Sequence, residues 1–250
     1  MELVNFRDLG GIPNKQGLKV KPKRVLRSGK LVDLDQLMKD QLVNDYQLKQ
    51  VIDLRKRSEI EKEPDDQLPG VKNINLDILE MNKNRGLGFH AAADTNDPDV
   101  VTKEMEDMYQ EIVLNPQAQK HFGEFLELLL ENKTGSTLFH CYSGKDRTGI
   151  AAAIFLWLLD VDDEEVMKDY MQTNVDRKPE NDRIIARMKK EGYEGKALEA
   201  VLVTANVEAS YLKCAQDTII KQYGDILNYA EQALNFDSSK IEKLQKLYLE

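Results

Sequence analysis

The stretch HCYSGKDRTGI, residues 140–150, with AAAIFLWLL directly after it, constrains this chain most. STLFH (136–140) leads into it as a short buried strand, so the order reads strand, polar loop, helix. Gly144 supplies a backbone freedom that other residues lack, and Gly149 is expected to let the helix pack closely on a sheet. A helix beginning near Arg147 points unpaired N–H groups and its positive dipole end back at the loop, which makes an anion site. Successive loop N–H groups can close into a nest around a phosphate. Ala151 to Leu159 is apolar all round, as a central buried helix must be.

The side chains agree with the backbone. Arg147 offers a planar fork that matches two phosphate oxygens, and Lys145 adds a point charge. Tyr142, Ser143, Gly144 and Thr148 complete the expected phosphate and substrate contacts. Cys141 sits at the mouth of this field, where a thiol pKa falls to roughly 3.5–7.5. The donors that stabilise a thiolate also suit a phosphoryl group and its transition state. The sulfur can then attack phosphorus to give a cysteinyl-phosphate that water hydrolyses. In Cys-x5-Arg the last side chain returns toward the first. A glycine turn that only joined strand to helix would not need Cys, Lys and Arg together.

Elsewhere, residues 3–6 and 24–28 read as short strands separated by the turn-rich GGIPNKQG. VDLDQL opens a helix, with Asp33 as N-cap, Gln36 three residues on, and Val32 and Leu37 as a hydrophobic staple. QVIDLR (50–55) is a buried strand, and VKNINLDI (71–78) alternates so that Ile74, Leu76 and Ile78 share one face. Residues 82–100 fit no period and are expected to form a long loop that serves as a lid over the pocket or is simply mobile. Pro116 restarts a helix whose Phe122, Phe125, Leu126, Leu129 and Leu130 fall on one side. Asp162 with Glu165 forms a second capping box, stapled by Val161 and Val166. The acidic run 162–169 reads as a solvated face, and the remainder is helical with breaks near Pro179, Gly192–Gly195 and Gly224.

Strands mixed with helices and followed by a helical tail predict an α/β fold. Its sheet is central, mainly parallel and flanked by helices, with extra C-terminal helices. We expect one domain over 1–250, with a catalytic core of about 1–175 and a helical part of about 176–250. A net charge of −9 argues against general nucleic-acid binding. The two cysteines, Cys141 and Cys214, suggest no disulfide framework, and Cys214 reads as a small buried residue. His90, His121 and His140 are too separated for a metal site, and no metal or other cofactor is expected. No segment has the roughly 18 apolar residues of a membrane span. MELVNFRDLGG lacks an apolar signal region, which points to the cytoplasm, or to secretion if a leader has been removed.

With these residues in place, the sequence resembles the cysteine-dependent protein-tyrosine and dual-specificity phosphatase superfamily. It is most similar to the bacterial branch with HC-x-x-GKDRTG in its loop, related to secreted tyrosine and lipid phosphatases of Listeria and Mycobacterium. NFRDLGGI (5–12), LRSGKL (26–31), IDLRKRSEIEKEPD (52–65) and, more weakly, YLKCAQDTIIKQYG (211–224) extend the match over nearly the whole chain. The resemblance implies the phosphotyrosine protein phosphatase-like fold, Cys141 as nucleophile, Arg147 as phosphate binder and Thr148 as support for the thiolate. It implies activity on phosphotyrosine and phosphoinositides, with phosphoserine and phosphothreonine as further substrates. Lys145 occupies the place that meets additional phosphates in phosphoinositide phosphatases. Partners are therefore phosphorylated proteins or phosphoinositides.

The superfamily's general acid usually comes from a separate loop. There is no Trp-Pro-Asp, and the only tryptophan, Trp157, lies within the apolar helix. Asp146 is the favoured substitute: a neighbouring thiolate and a phosphate dianion favour a proton there, although Lys145 and Arg147 oppose it. Asp94, Asp97, Asp99 and Asp53 are the alternatives. Arg7 and Asp8, with Asp53 and Arg55, either line the site or form buried ion pairs that hold strands and loop together. His140 is expected to bond backbone behind the loop, His90 to be an exposed loop residue and His121 to be incidental. Competing functions are a primarily lipid phosphatase, a pseudophosphatase that only binds phosphate, and a sulfur-transfer or redox enzyme. The last does not explain Lys-Asp-Arg-Thr.

Overall fold

A computed structural model describes residues 3–79 and 88–250. Its five-stranded sheet has the order β1 (Arg7–Asp8), β2 (Val25–Ser28), β5 (Ser136–His140), β3 (Leu48–Asp53), β4 (Lys72–Asn75). Only the β1–β2 pairing is antiparallel. In register, Ser28, His140, Asp53 and Asn75 stand side by side across β2, β5, β3 and β4. Four parallel strands therefore end on one line, the edge at which α/β sheets bind ligands.

Alternation along the strands builds two cores. Val25, Ile52 and Phe139 face one side and Leu26, Val51 and Leu138 the other. Burial on both faces is what a parallel sheet requires. The smaller core includes Leu31, Leu34 and Leu42, next to α1 (Gln36–Asp40) and a π-helical turn (Gln41–Asp45). The short α2 (Arg57–Lys62) follows β3, and α3 (Phe89–Thr95) precedes α4 (Pro98–Leu114) and α5 (Pro116–Glu131). Helix α6 (Asp146–Leu158) is buried along its length from Arg147. The later helices are α7 (Asp163–Asp176), α8 (Lys178–Lys190), α9 (Lys196–Ala205), α10 (Ala209–Tyr223), α11 (Ile226–Gln232) and α12 (Ser238–Tyr248).

Helices α4, α5, α6, α10, α11 and α12 share the larger core, through residues such as Tyr109, Phe122, Phe155, Tyr211, Tyr229 and Leu244. The tail thus packs into the same apolar body as the sheet, and Leu249 bridges to Val20. A separate small cluster joins α3, α8 and α9 through Ala93, Ile184, Met188, Ala197 and Val201. Among the described residues no helix is long and apolar enough to cross a membrane.

Several local expectations need correction. The first strand is Arg7–Asp8 rather than 3–6, because Asn5 takes a left-handed φ of 58° that ends extended pairing there. The cap of α1 is Asp35, which accepts from the Met38 N–H at 2.9 Å. Asp33 is itself left-handed (φ 56°), and Leu37 is 69% exposed, so no staple forms. At α7, Asp162 has cap backbone geometry without a side-chain bond, although Val161 and Val166 are both buried. Residues 88–100 form α3 and the start of α4 instead of a loop; residues 82–87 lie outside the described residues. Asp97 caps α4, with Pro98 in its first turn.

Candidate active site

The loop from Cys141 to Lys145 leaves β5 at the strand-end line and turns into α6. Gly144 adopts φ 68°, and a Cβ there would collide with the Ser28 carbonyl oxygen. Here glycine is required twice, for its conformation and for its size. Gly149 also meets a close neighbour, but it is the Tyr170 ring of α7, 2.9 Å from where a Cβ would lie, and not the sheet.

The loop carbonyls are pinned outward by donors from elsewhere. Lys30 N–H donates to Tyr142 O (3.2 Å), and His140 Nδ1 lies 3.0 Å from Cys141 O. Arg177 Nη1 donates to Ser143 O (3.1 Å), and Asn5 Nδ2 and Arg27 Nη2 donate to Gly144 O (2.7 and 3.0 Å). In a planar peptide the C=O and the next N–H point in opposite directions. Holding consecutive carbonyls outward therefore turns the following N–H groups inward, as an anion nest needs.

Cys141 is buried at the strand end. Burial alone would push its thiol up. The Arg147 charge and hydrogen bonding from the Thr148 hydroxyl and N–H outweigh that and bring it below the ordinary thiol value. The Thr148 hydroxyl is buried and has no other partner among the described residues. Arg147 is held by Glu59 of α2, with Nη1 and Nη2 at 2.6 and 2.9 Å from its two carboxylate oxygens. Burial disfavours the Arg147 cation, but Cys141 and Glu59 more than restore it. The same pair holds Glu59 below the usual carboxylate range, against its own desolvation.

Asp146, in the first turn of α6, accepts from Lys145 Nζ (2.8 Å) and from the Tyr109 hydroxyl (2.9 Å). Tyr109 in turn lies 2.7 Å from the Tyr170 hydroxyl, and burial with the nearby Asp146 charge keeps the Tyr109 phenol protonated. The alternative aspartates are engaged elsewhere. Asp94 accepts from Tyr193, Asp97 caps α4, and Asp99 is in that helix's first turn. Asp53 is held by Arg55 through Nε and Nη2 (3.0 and 2.8 Å).

Arg55 also reaches Asp65 (2.8 Å) and the Glu63 carbonyl (2.8 Å), tying β3 to the segment after α2. His140 Nε2 lies 2.8 Å from Asp65. Burial works against a charged His140 ring, yet the contact with Asp65 and the Asp53 and Asp65 charges raise it above its ordinary value. Donor atoms of Asp53, Asp65 and His140 fall within 4.8 Å of one another, but the Arg55 guanidinium already meets both carboxylates. Arg7 reaches the loop indirectly. It binds Asn5 (2.6 Å) and Asp169 (2.7 Å), and Asp169 also holds Arg27 (2.5 Å). Asp169 is therefore nearly buried, unlike the solvated face expected for 162–169. Asp8 is not brought to the loop; it accepts from the Gly10 and Lys23 N–H groups in the turn beside β1.

His90 is exposed on α3 against Glu191, and His121 Nδ1 lies 2.7 Å from the Asp77 carbonyl. Cys214 is half-buried rather than buried, with Gln110 Nε2 at 3.0 Å. Glu59, Asn5, Arg27, Asp169, Tyr109, Asp65 and Arg177 had no role in the sequence reading. RSEIEK places Glu59 inside a stretch already matched to phosphatases, which was the one signal that could have found it.

Known proteins resemble the chain over most of its length. A Cupriavidus necator protein named as a tyrosine-protein phosphatase is 28% identical over 96% of this chain and 84% of its own length. The triple specificity protein phosphatase PtpB of Mycobacterium tuberculosis is 26% identical over 92% of this chain and 91% of its own. Among solved structures, the core catalytic domain of the PP-IP phosphatase SIW14 from S. cerevisiae covers 78% of this chain and 99% of its own, at 16% identity and TM-score 0.38. The sequence profile of the tyrosine phosphatase family matches residues 1–250, so the chain as a whole belongs to that family of phosphatases.

Proposed function

We propose that the loop hydrolyses phosphomonoesters, phosphotyrosine above all, with Cys141 as nucleophile and Asp146 as proton donor. The observation that carries this is Cys141 buried at the end of β5, ahead of a loop whose carbonyls are bonded by outside donors and of Arg147 clamped by Glu59; Arg147 and Thr148 also bring the thiol below its ordinary value. The inward N–H groups and Arg147 hold the phosphoryl oxygens. The Cys141 sulfur attacks phosphorus, and the P–O bond to the leaving group breaks. Asp146 gives its proton to that departing oxygen. Water then attacks phosphorus, returns its proton to Asp146 and releases inorganic phosphate with the Cys141 thiolate. Lys145, buried against Asp146, positions that carboxylate. Asp53, Arg55 and Arg7 position the loop through the contacts above. The triple specificity named for the Mycobacterium relative supports a substrate range wider than phosphotyrosine.

The test is phosphate release from phosphotyrosine peptide and phosphoinositide panels, with chelator present and Cys141→Ser alongside. Release that depends on Cys141 and ignores chelator is expected. Phosphate binding without turnover would reveal a pseudophosphatase and overturn the reading. For Asp146→Asn, the expected loss is largest with poor leaving groups; equal losses across leaving groups would remove Asp146 as the donor.

A further inference from the structure

Beside the loop runs a groove of about 480 Å³ between the chain's N-terminal segment and α8. It is lined by the loop residues Tyr142 and Ser143, by four cations (Lys30, Arg177, Arg183 and Arg187), and by apolar groups that include Leu3, Leu34 and Ile184. Three carboxylates also line it, Asp33, Glu63 and Glu180. Lys30 is paired with Glu63, Arg183 lies 3.2 Å from Glu180, and Arg187 lies 4.0 Å from Glu191. Arg177 differs from all three. It is 3% exposed, yet its bonds run only to neutral acceptors, Ser143 O and Asn181 Oδ1 (both 3.1 Å). Its Nε has no partner, and no carboxylate pairs with it among the described residues.

A buried guanidinium without a counter-charge is costly, and its cost falls when an anion arrives. Burial does lower the Arg177 pKa, with only the more distant Asp146, Glu180 and Cys141 charges opposing. A planar fork suits a carboxylate. The apolar remainder of the lining suits the side chains of an extended peptide.

We propose that this groove is a second anion subsite, built on Arg177, that receives an acidic side chain flanking the phosphotyrosine of a protein substrate. The proposal rests on the phosphatase reading above and names the substrate class of that same site. Arg183 and Arg187 are the outer, solvent-facing part of the subsite.

The experiment compares two phosphotyrosine peptides that differ only in the flanking residues, Asp and Glu in one, Asn and Gln in the other. The wild-type protein is expected to favour the acidic peptide by about tenfold in kcat/KM, mainly through KM, as a charge-assisted hydrogen bond allows. Arg177→Gln should remove most of that ratio. Arg183→Ala with Arg187→Ala should lower it by roughly two- to threefold while kcat on p-nitrophenyl phosphate stays unchanged. The acidic-to-amide ratio cancels any general damage to the loop in Arg177→Gln. Affinities of both peptides for Cys141→Ser protein, read by fluorescence anisotropy, give the same comparison without turnover. A ratio near one in the wild type, or one that survives Arg177→Gln, overturns the subsite. An Arg177-dependent gain for a soluble inositol bisphosphate instead of the acidic peptide overturns the peptide assignment. Loss of Cys141-dependent p-nitrophenyl phosphate turnover is a separate result, which would overturn the phosphatase reading itself.

Discussion

Two buried guanidinium groups stand beside one loop, and they are held by different partners. Arg147 enters from α6 and is clamped by both oxygens of Glu59. Arg177 enters from the junction of α7 and α8, holds the Ser143 carbonyl, and meets only neutral acceptors. The first is oriented before any ligand arrives. The second is buried with no carboxylate in direct contact among the described residues, so its surroundings improve when an anion binds. Preorganisation suits a transition state, whereas an unmatched charge suits discrimination between substrates.

The contrast is broken most sharply by exchanging each arginine for lysine. Arg147→Lys should lower kcat by roughly a hundred- to a thousandfold on every phosphomonoester, because one charge replaces a two-point clamp. Arg177→Lys, which also disturbs the Ser143 carbonyl contact, should instead act mainly by raising KM for acidic peptides, with a kcat loss well below that of Arg147→Lys. Steady-state kinetics on both variants check this, and equal kcat losses would erase the distinction. Glu59→Gln comes next. It leaves a buried guanidinium short of its counter-charge and should cost on the order of 1–3 kcal/mol in urea unfolding. The folded Glu59 titrates below its unfolded value. Stability from the pair is therefore present above the ordinary carboxylate pKa and lost as pH falls through the depressed one. Glu59→Gln should flatten that acid limb, and an unchanged limb would place the linkage elsewhere.

His140 gives a weaker effect of opposite sign. Its folded value is raised, so its contribution is complete below the ordinary 6.5 and disappears as pH rises through the folded value. Unfolding free energies measured across neutral pH should fall in the wild type and stay flatter in His140→Asn. Smallest of all is Lys30→Ala, which removes a cation 4.6 Å from the centroid of the Tyr142 ring and the half-buried pair with Glu63. Thermal unfolding should report a loss of about 1 kcal/mol or less.

What the sequence made legible was local. The strand, loop and helix around Cys141, the apolar face of α5 and the Pro116 restart are all properties of neighbouring residues, and the structure places them as expected. The clamp on Arg147, the Arg7–Asp169–Arg27 chain and the Tyr109–Asp146 bond join residues far apart in the chain, so no local period announces them. Residues 88–100 failed for a different reason. Gly88, Asn96 and Pro98 break the period of this stretch, yet Gly88 precedes α3, Asn96 closes it in a left-handed conformation, and Pro98 starts α4. These residues mark helix ends as readily as loops, and Asp97 before Pro98 was the available clue.

Helix α6 has a consequence for how activity should be read in damaged variants. With no polar stripe it has no stable existence in water apart from the body that surrounds it. The phosphate nest is the mouth of that helix, so it cannot be assembled ahead of the fold or outlast it. Turnover thus doubles as a reporter of global integrity: a cavity opened at Phe155 or Tyr248, whose rings meet in the core, should register as a shrinking fraction of competent molecules with the KM of the survivors unchanged.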